Sequence, residues 1–295
     1  MNIVVWVNGA IVNADAPILT ATDHGLTVGD GVFETMAVVD GRPFALTRHI
    51  ARLAYSAQRM GIDVADAEYI REGVSAVRDA AATGARPFDV TRMRLTLVSG
   101  PGPMSSLRGE GPGSLIVIGT DAPAAKRCRA VRAPWVRNER SAIAGVKSTS
   151  YAENVVMAHF AAGKGADEAI IANTHGHLCE GTATNIFIEV DEEILTPPLA
   201  SGCLPGITRG LALEWGARAG LPIRAAEVGE LDMSVLERVR EGTAFAAVSS
   251  STRRVQVLDT LDGVALGRGP LLTRLSRIFD EFASDNPDPV PPRQK

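Results

Sequence analysis

The sequence has few cysteines, only 5% aromatic residues and no long apolar run. Its three cysteines, Cys128, Cys179 and Cys203, are odd in number and widely spaced. This spacing excludes a disulfide framework or a zinc pattern and favours a reducing compartment. No apolar stretch approaches the roughly 20 residues that cross a bilayer, and no signal-peptide pattern is visible at the start. We therefore expect a cytoplasmic protein without a membrane partner.

An excess of basic charge is also lacking. The net charge is −4 and the basic residues form no stripe, which argues against nucleic acid as a partner. Walker, Gly-x-Ser-x-Gly and His-Glu-x-x-His motifs are absent. The five histidines do not pair with carboxylates at metal-ligand spacing, so no metal is expected. What remains is a 295-residue globular composition, 45% hydrophobic and 22% charged, large enough for two domains.

The apolar pattern predicts two mixed α/β halves. Residues 1–120 form a smaller N-terminal domain, 121–125 a linker, 126–284 a larger C-terminal domain, and 285–295 a proline-rich tail that we expect to be disordered. In the first half the pattern predicts strands over 3–7, 10–12, 32–39, 44–46, 91–98 and 114–119, and helices over 47–61 and 66–84. In the second half it predicts strands over 129–135, 168–172, 185–190, 222–226, 244–248 and 255–258, and helices over 150–162, 206–219, 231–240 and 271–282.

Two segments suggest an imine-forming lysine and a phosphate site. Lys147 follows a small apolar run and precedes a helix; burial there would favour the neutral amine that imine formation requires. Gly206, Ile207 and Thr208 open a helix, where backbone N–H groups and a hydroxyl can bind an anion. A surface lysine and an ordinary capped helix would give the same patterns.

Two further segments carry polar groups between strands. Glu180 lies among small residues between two predicted strands, and a carboxylate there could keep a pyridinium nitrogen protonated. Ser250 and Ser251 lie in a turn that also contains Arg253; their hydroxyls suit a phosphate and the arginine suits a carboxylate. A loop carboxylate and a polar hairpin are the alternatives.

Taken in this order, the segments resemble the class IV aminotransferases, the fold-type IV enzymes that use pyridoxal 5′-phosphate (PLP). The resemblance spans roughly Trp6 to Phe279 and implies an α/β (α+β) fold of two mixed domains, with the cofactor at their interface and a homodimer as the assembly. Its most telling segments are Gly29–Thr35, His49–Leu53, Gly145–Tyr151, Glu180–Phe187 and Leu204–Arg209.

The resemblance also implies residue roles. Lys147 matches the catalytic lysine that forms the Schiff base with PLP and moves the substrate proton, and Glu180 matches the carboxylate on the pyridine nitrogen. The remaining cofactor contacts that it implies are Arg52, Gly206, Ile207, Thr208, Ser250 and Ser251 around the phosphate and Tyr151 near the phenolic oxygen.

The sequence leaves the reaction open. Typical D-amino acid aminotransferases have a tyrosine where this chain has Phe33, and they carry a histidine in the loop that here runs from Ser99 to Gly109 without one. Our leading hypothesis is an aminotransferase that moves the amino group of a small amino acid, with D-amino acids and R-amines among the candidate donors, to a keto acid. The alternatives are 4-amino-4-deoxychorismate lyase and a non-catalytic PLP-binding protein. Candidate substrate contacts are Phe33, Arg94, Arg108 and Arg253.

Overall fold

The structure is a computed structural model that describes residues 2–290. The chain divides into two compact units, with the first change of unit between Pro123 and Ala124. Residues Val146–Tyr151, and the described residues from Pro287 onward, also belong to the first unit. The linear division into 1–120 and 126–284 is therefore wrong on one point, because it assigned the segment around Lys147 to the second domain.

The first unit is a six-stranded antiparallel sheet with helices on one face. Its strand order is β2-β1-β6-β5-β3-β4. Alternate side chains, such as Trp6, Met36 and Leu95, face the helices and form the apolar core. The elements are β1 (Ile3–Val7), β2 (Ala10–Val12), α1 (His24–Thr27), β3 (Gly31–Val39), β4 (Arg42–Pro43), α2 (Leu46–Met60), α3 (Ala67–Thr83), β5 (Arg92–Val98) and β6 (Ser114–Thr120).

The predicted strand over 44–46 is wrong. Asp40 and Gly41 both have positive φ, 48° and 71°, which gives the tight turn that joins antiparallel strands directly. Arg42 therefore pairs at once with Val39, and the return strand β4 is complete at Pro43. The following residues are free to start α2.

The N-terminus of α2 is capped by a distant segment of the chain. The helix was predicted to begin at residue 47, but Leu46 is its first residue and Ala45 is the N-cap, with φ of 54°. The Asp288 carboxylate accepts hydrogen bonds from the backbone N–H and the hydroxyl of Thr47, at 2.8 and 2.7 Å. The predicted disordered tail is thus wrong for residues 285–290, whereas 291–295 lie outside the described residues.

The second unit contains two five-stranded sheets, ordered β12-β11-β10-β13-β14 and β16-β15-β7-β8-β9. Glu180 lies within strand β9 rather than between strands, and two short strands follow the predicted last one. The elements are β7 (Arg129–Arg137), α4 (Ala152–Gly163), β8 (Glu168–Asn173), β9 (Leu178–Gly181), β10 (Asn185–Val190), β11 (Glu193–Thr196), α5 (Ile207–Arg218), β12 (Ile223–Ala225), α6 (Val235–Glu241), β13 (Phe245–Ser250), β14 (Arg254–Val257), β15 (Thr260–Leu261), β16 (Val264–Ala265) and α7 (Pro270–Asp285).

The other predicted strands and helices are present, with ends shifted by a few residues. Across residues 2–290, none of the helices combines the length and the apolar character needed to span a membrane.

Candidate active site

Lys147 is fixed by backbone hydrogen bonds within the first unit. The N–H of Phe33 donates to the carbonyl of Lys147 at 2.9 Å, and the N–H of Thr149 donates to the carbonyl of Gly31 at 2.8 Å. The segment thus joins β3 through an isolated antiparallel bridge between Val32 and Ser148. The N–H of Lys147 also donates to Ser56 Oγ on α2, at 3.3 Å. Sequence reasoning gave Ser56 no role.

The side chain of Lys147 lies among aromatic rings. Its Nζ is 4.3 Å from the ring centroid of Phe33 and 5.8 Å from that of Tyr151. These two rings meet edge to face at 5.2 Å. The guanidinium of Arg94 lies 3.9 Å from the Phe33 centroid, a distance at which a cation is attracted to a ring. The structure therefore brings together four of the residues predicted from the sequence.

The next residue along β3, Glu34, points to the helix-covered face of the sheet. Its carboxylate accepts hydrogen bonds from Arg52 Nε and Nη2, at 2.8 and 2.7 Å, and from His49 Nδ1 at 2.6 Å. Glu34 and His49 are fully buried. Burial raises the pKa of Glu34, but Arg52 and His49 outweigh it and bring that pKa to about 2. Burial lowers the pKa of His49 despite the adjacent carboxylate.

This network bears on the predicted role of Arg52. Two of its three guanidinium nitrogens bind Glu34, so Glu34 fixes the orientation of the group that was predicted to reach the phosphate. Both Glu34 and His49 belong to the segments that carry the family resemblance, but sequence reasoning assigned them no function.

Arg108, one of the candidate carboxylate anchors, is bound by an acidic residue of its own unit. Its Nε and Nη2 donate to the Asp30 carboxylate at 2.5 and 2.6 Å. It also donates to the carbonyls of Met60, at 2.8 Å, and Gly61. Arg108 thereby fastens the loop 99–113 to the residue that precedes β3 and to the end of α2.

In the second unit, Glu180 is buried and held by two partners. Its Oε2 accepts a hydrogen bond from the N–H of Leu204 at 2.9 Å, and its Oε1 lies 3.4 Å from Arg137 Nε. Arg137 also pairs with Glu153 at 2.9 Å. Sequence reasoning missed Arg137, because no local pattern connects β7 with β9.

The helix α5 begins where the phosphate site was predicted. Gly206 is its N-cap and has no side chain with which to cap the helix. Ile207 and Thr208 are buried in the first turn, where N–H groups and the helix dipole favour an anion. Asn185 Nδ2 donates to the carbonyl of Leu204 at 2.9 Å and so holds the loop that leads into the helix.

The predicted turn after β13 is present. Ser250 ends β13, and its Oγ accepts a hydrogen bond from the N–H of Arg253 at 3.2 Å. The Arg253 guanidinium donates to the Arg127 carbonyl at 2.9 Å and to Gln256 Oε1 at 2.8 Å. Within residues 2–290, the buried Ser249 Oγ beside this turn has no hydrogen-bond partner.

The cysteine thiols offer no nucleophile. Burial raises the pKa of Cys203 to about 11 and that of Cys128 to about 12, and it raises the pKa of Cys179 as well. All three thiols are free and buried. They stay protonated at neutral pH.

A cavity of about 310 Å³ in the second unit is lined by none of the predicted site residues. His175 and His177 line it, and His175 Nε2 lies 3.3 Å from Glu139 Oε1. No group of histidine, cysteine and acidic residues within 2–290 has the arrangement of a metal site. Leu178, on the same strand as Glu180, lines the cavity, but Glu180 itself does not.

The residues present fit PLP chemically. Lys147 supplies a primary amine for the cofactor's carbonyl carbon, and the buried Glu180 carboxylate suits a protonated ring nitrogen. The uncapped start of α5 with Thr208, together with the buried Ser249 hydroxyl that lacks a partner within residues 2–290, provides donors for a phosphate.

Comparisons with known proteins agree with this chemistry. The family described as amino-transferase class IV matches residues 31–254. A bifunctional aminodeoxychorismate lyase / D-amino acid transaminase from Mycobacterium tuberculosis is 30% identical over 300 residues, covering 94% of this chain and 97% of that protein. A D-alanine aminotransferase from Bacillus licheniformis is 26% identical over 270 residues, 89% of each chain.

Among solved structures, a hypothetical aminotransferase from Mycobacterium tuberculosis in its PLP-bound form superposes with a TM-score of 0.81 at 25% identity, covering 96% of this chain and 100% of the other. These findings confirm the resemblance, the mixed α/β fold of fold-type IV enzymes and PLP as the cofactor. Amino acids and keto acids are the substrates that this family implies. The chain belongs to the class IV aminotransferases and is a PLP-dependent enzyme.

Proposed function

We propose that the protein transfers the amino group of a small amino acid to a keto acid, with Lys147 as the residue that carries the cofactor. One observation carries this proposal: Lys147 Nζ and the Arg94 guanidinium lie on the same Phe33 ring, at 4.3 and 3.9 Å from its centroid. An amine that can move a proton thus lies close to a cation that can bind a carboxylate. Amino acids and keto acids both require that pair.

The division of roles follows from the chemistry of each group. PLP, when bound, accepts the electrons left after the substrate's α C–H bond breaks. Lys147 Nζ takes and returns that proton. Glu180 binds the pyridine nitrogen and keeps it protonated. Arg52, the start of α5 at Ile207 and Thr208, and the Ser250–Ser251 turn bind the phosphate, and Tyr151 binds the phenolic oxygen.

Arg94 is the arginine best suited to the substrate carboxylate. Arg108 is bound by Asp30, and Arg253 donates to a backbone carbonyl and to Gln256. Arg94 instead lies over Phe33 and donates to Thr96 Oγ1 at 3.3 Å, from the same face of the sheet. A guanidinium can bind a carboxylate through two parallel hydrogen bonds. Phe33 would then fix the position of that guanidinium.

A second candidate is aminodeoxychorismate lyase, because the relative at 30% identity is named for both activities. Both reactions begin with removal of the α proton, so both can use Lys147. The lyase then releases pyruvate and 4-aminobenzoate instead of passing the amino group to a keto acid. A non-catalytic PLP-binding protein would not need the intact set of Lys147, Glu180 and Arg52.

We also propose a homodimer. On β7 and α4 of the second unit, four large apolar side chains are exposed: Trp135, Val136, Val155 and Val156. Exposed apolar groups of this kind are typical of protein interfaces. Light scattering after size-exclusion chromatography tests this, and a species of only 31.1 kDa would contradict it.

We propose that the protein works in a reducing compartment, the cytoplasm. The three buried free thiols support this location, because such thiols persist where disulfides do not form. Fractionation of cells that express the tagged chain tests it, and recovery in an oxidising compartment would contradict it.

The test of the function is a spectrum of the purified protein with PLP, before and after adding D-alanine without any keto acid. Loss of the visible band of lysine-bound PLP, with rise of pyridoxamine phosphate, would support transamination of a D-amino acid. L-alanine is the matched control for handedness. A band that responds to neither, combined with release of 4-aminobenzoate from aminodeoxychorismate, would favour the lyase. If no band formed with PLP, the role of Lys147 would be disproved.

A further inference from the structure

The peptide groups of Leu204 are held on two sides by residues of neighbouring strands in the second unit. Glu180, on β9, accepts a hydrogen bond from the Leu204 N–H at 2.9 Å. Asn185, at the start of β10, donates from Nδ2 to the Leu204 carbonyl at 2.9 Å. Both side chains are buried, so the two bonds are partly shielded from bulk water.

Asn185 also determines how closely the start of α5 can approach. A Cβ atom on Gly206 would lie 1.9 Å from Asn185 Oδ1, which is far inside contact distance. Gly206 has φ of −63°, a conformation open to any residue. The glycine is therefore required for space and not for its backbone conformation, and the space is taken by Asn185.

From these contacts we infer that Asn185 is a positioning residue for the cofactor. It fixes Leu204, whose N–H binds Glu180, and it contacts Gly206, the N-cap of α5. Asn185 thus sets the spacing between the carboxylate for the ring nitrogen and the helix start for the phosphate. The inference rests on the proposed function, because it assumes that one PLP molecule uses both groups.

A purely structural asparagine would behave differently. Its loss would lower the stability of the protein without PLP, but it would leave PLP affinity unchanged in the folded fraction. A positioning residue alters the affinity for PLP itself, and its effect depends on the residue at 206.

The test is a double-mutant cycle read by titrating PLP into the cofactor-free proteins and following absorbance. We expect Asn185→Ala to weaken PLP binding about tenfold, as for one lost hydrogen bond to the loop. Gly206→Ala should weaken PLP binding about thirtyfold, because the added methyl group would clash with Asn185 Oδ1. In the Asn185→Ala background the clash with Oδ1 is gone and Arg209 Cβ, at 3.3 Å, is the close contact that remains, so Gly206→Ala should cost about threefold or less.

Two variants of the same unit serve as matched controls. Asn173 is buried and its Oδ1 accepts hydrogen bonds from two turn residues, so Asn173→Ala should lower the melting temperature and leave PLP affinity unchanged. Gly210 lies on α5 with open space around its Cβ position, so Gly210→Ala should leave PLP affinity unchanged and raise the melting temperature, because alanine favours the helix. Asn185→Ser replaces Asn185→Ala in the cycle if the alanine variant does not fold.

If the wild-type protein binds PLP but the effects of Asn185→Ala and Gly206→Ala on PLP affinity are additive, the inference about Asn185 is overturned and the proposed function is not. Unchanged PLP affinity in both folded Asn185 variants would do the same. A wild-type chain that fails to bind PLP would overturn the proposed function together with the inference.

Discussion

Phe33 and Glu34 are adjacent on β3, but they point to opposite faces of the sheet and meet opposite environments. On the helix-covered face, Glu34 is buried and bound by Arg52 and His49. On the other face, the Phe33 ring is contacted by the Arg94 guanidinium and by the Lys147 amine. Two adjacent residues of one strand thus belong to a buried ion-pair network and to the surface that carries the predicted reactive amine.

The difference shows how one strand can serve stability and chemistry together. A buried carboxylate is tolerated only when hydrogen bonds and opposite charge compensate its lost hydration, and Glu34 meets that condition. Cations against a ring are held loosely by comparison and can exchange that contact for a substrate or cofactor. We therefore expect changes on the Glu34 face to alter folding and changes on the Phe33 face to alter turnover.

The largest expected effect is on turnover. Lys147→Ala should lower kcat/KM of transamination about 10³-fold or more, because it removes the amine that we propose carries PLP and moves the proton. Its melting temperature should stay within about 2 °C of wild type, since the side chain is only half-buried. Lys164→Ala, which changes an exposed lysine after α4, is the control and should keep full activity. A Lys147→Ala enzyme with near-normal rates would contradict the assignment of the Phe33 face.

The Glu34 face is tested by urea unfolding. Glu34→Gln should lower the free energy of unfolding by about 3 kcal/mol, because Arg52 and His49 lose their buried anion. Glu168→Gln is the matched control: Glu168 is also buried on a strand, but its Oε1 accepts from an amide N–H at 3.1 Å, and burial raises its pKa. That substitution should leave stability unchanged or higher at neutral pH. Equal losses of unfolding free energy in Glu34→Gln and Glu168→Gln would contradict the predicted difference between the two carboxylates.

The contributions of Glu34 and Glu168 to stability should change with pH in opposite directions. The folded-state pKa of Glu34, about 2, is below its ordinary value of 4.5. Its stabilising contribution is therefore complete above pH 4.5 and lost as pH falls toward 2. The pKa of Glu168 is raised, so Glu168 destabilises the fold increasingly as pH rises above 4.5. The difference in free energy of unfolding between wild type and each Gln variant, followed between about pH 3 and pH 7, measures the contribution of each carboxylate. Two differences that change with pH in the same direction would contradict the prediction.

On the Phe33 face, Arg94→Met should raise the KM for a keto acid about 30-fold, as expected when a charged hydrogen-bonding partner is lost. The KM for an amine donor without a carboxylate should hardly change. Arg253→Met is the control, because its guanidinium already has backbone and amide partners. If only the Arg253 variant lost keto-acid affinity, that residue would be the anchor instead.

The smallest effect is expected for Arg108. Its ion pair with Asp30 is partly exposed, so Arg108→Met should lower the free energy of unfolding by about 1 kcal/mol. Limited proteolysis should cleave the loop 99–113 faster, while the KM for keto acids stays constant. Asp30→Asn should reproduce both results. A raised KM for keto acids in the Arg108 variant alone would indicate that Arg108 contacts the substrate.

The sequence predicted those features that are determined locally. The hairpin at Asn8-Gly9 and the end of α2 at Gly61, with φ of 67°, follow from residues that tolerate positive φ. The motif around Lys147 predicted a reactive lysine, and the structure places that side chain beside Phe33 and Tyr151. The partners of Glu180 could not be predicted, because Arg137 and Leu204 reach it from other parts of the chain. Chain-distant pairs leave no pattern within a local window of sequence.

The cap on α2 has a consequence for how the protein is made. Thr47 and Asp288 are 241 residues apart, so a ribosome exposes the helix long before it has translated the cap. The edge of β3 that pairs with residues 147–149 also stays unpaired until those residues have been translated. Unpaired strand edges promote aggregation. The first unit can therefore complete its structure only after Asp288 has been translated, and a chain truncated before Asp288 lacks the cap on the helix that bears Arg52.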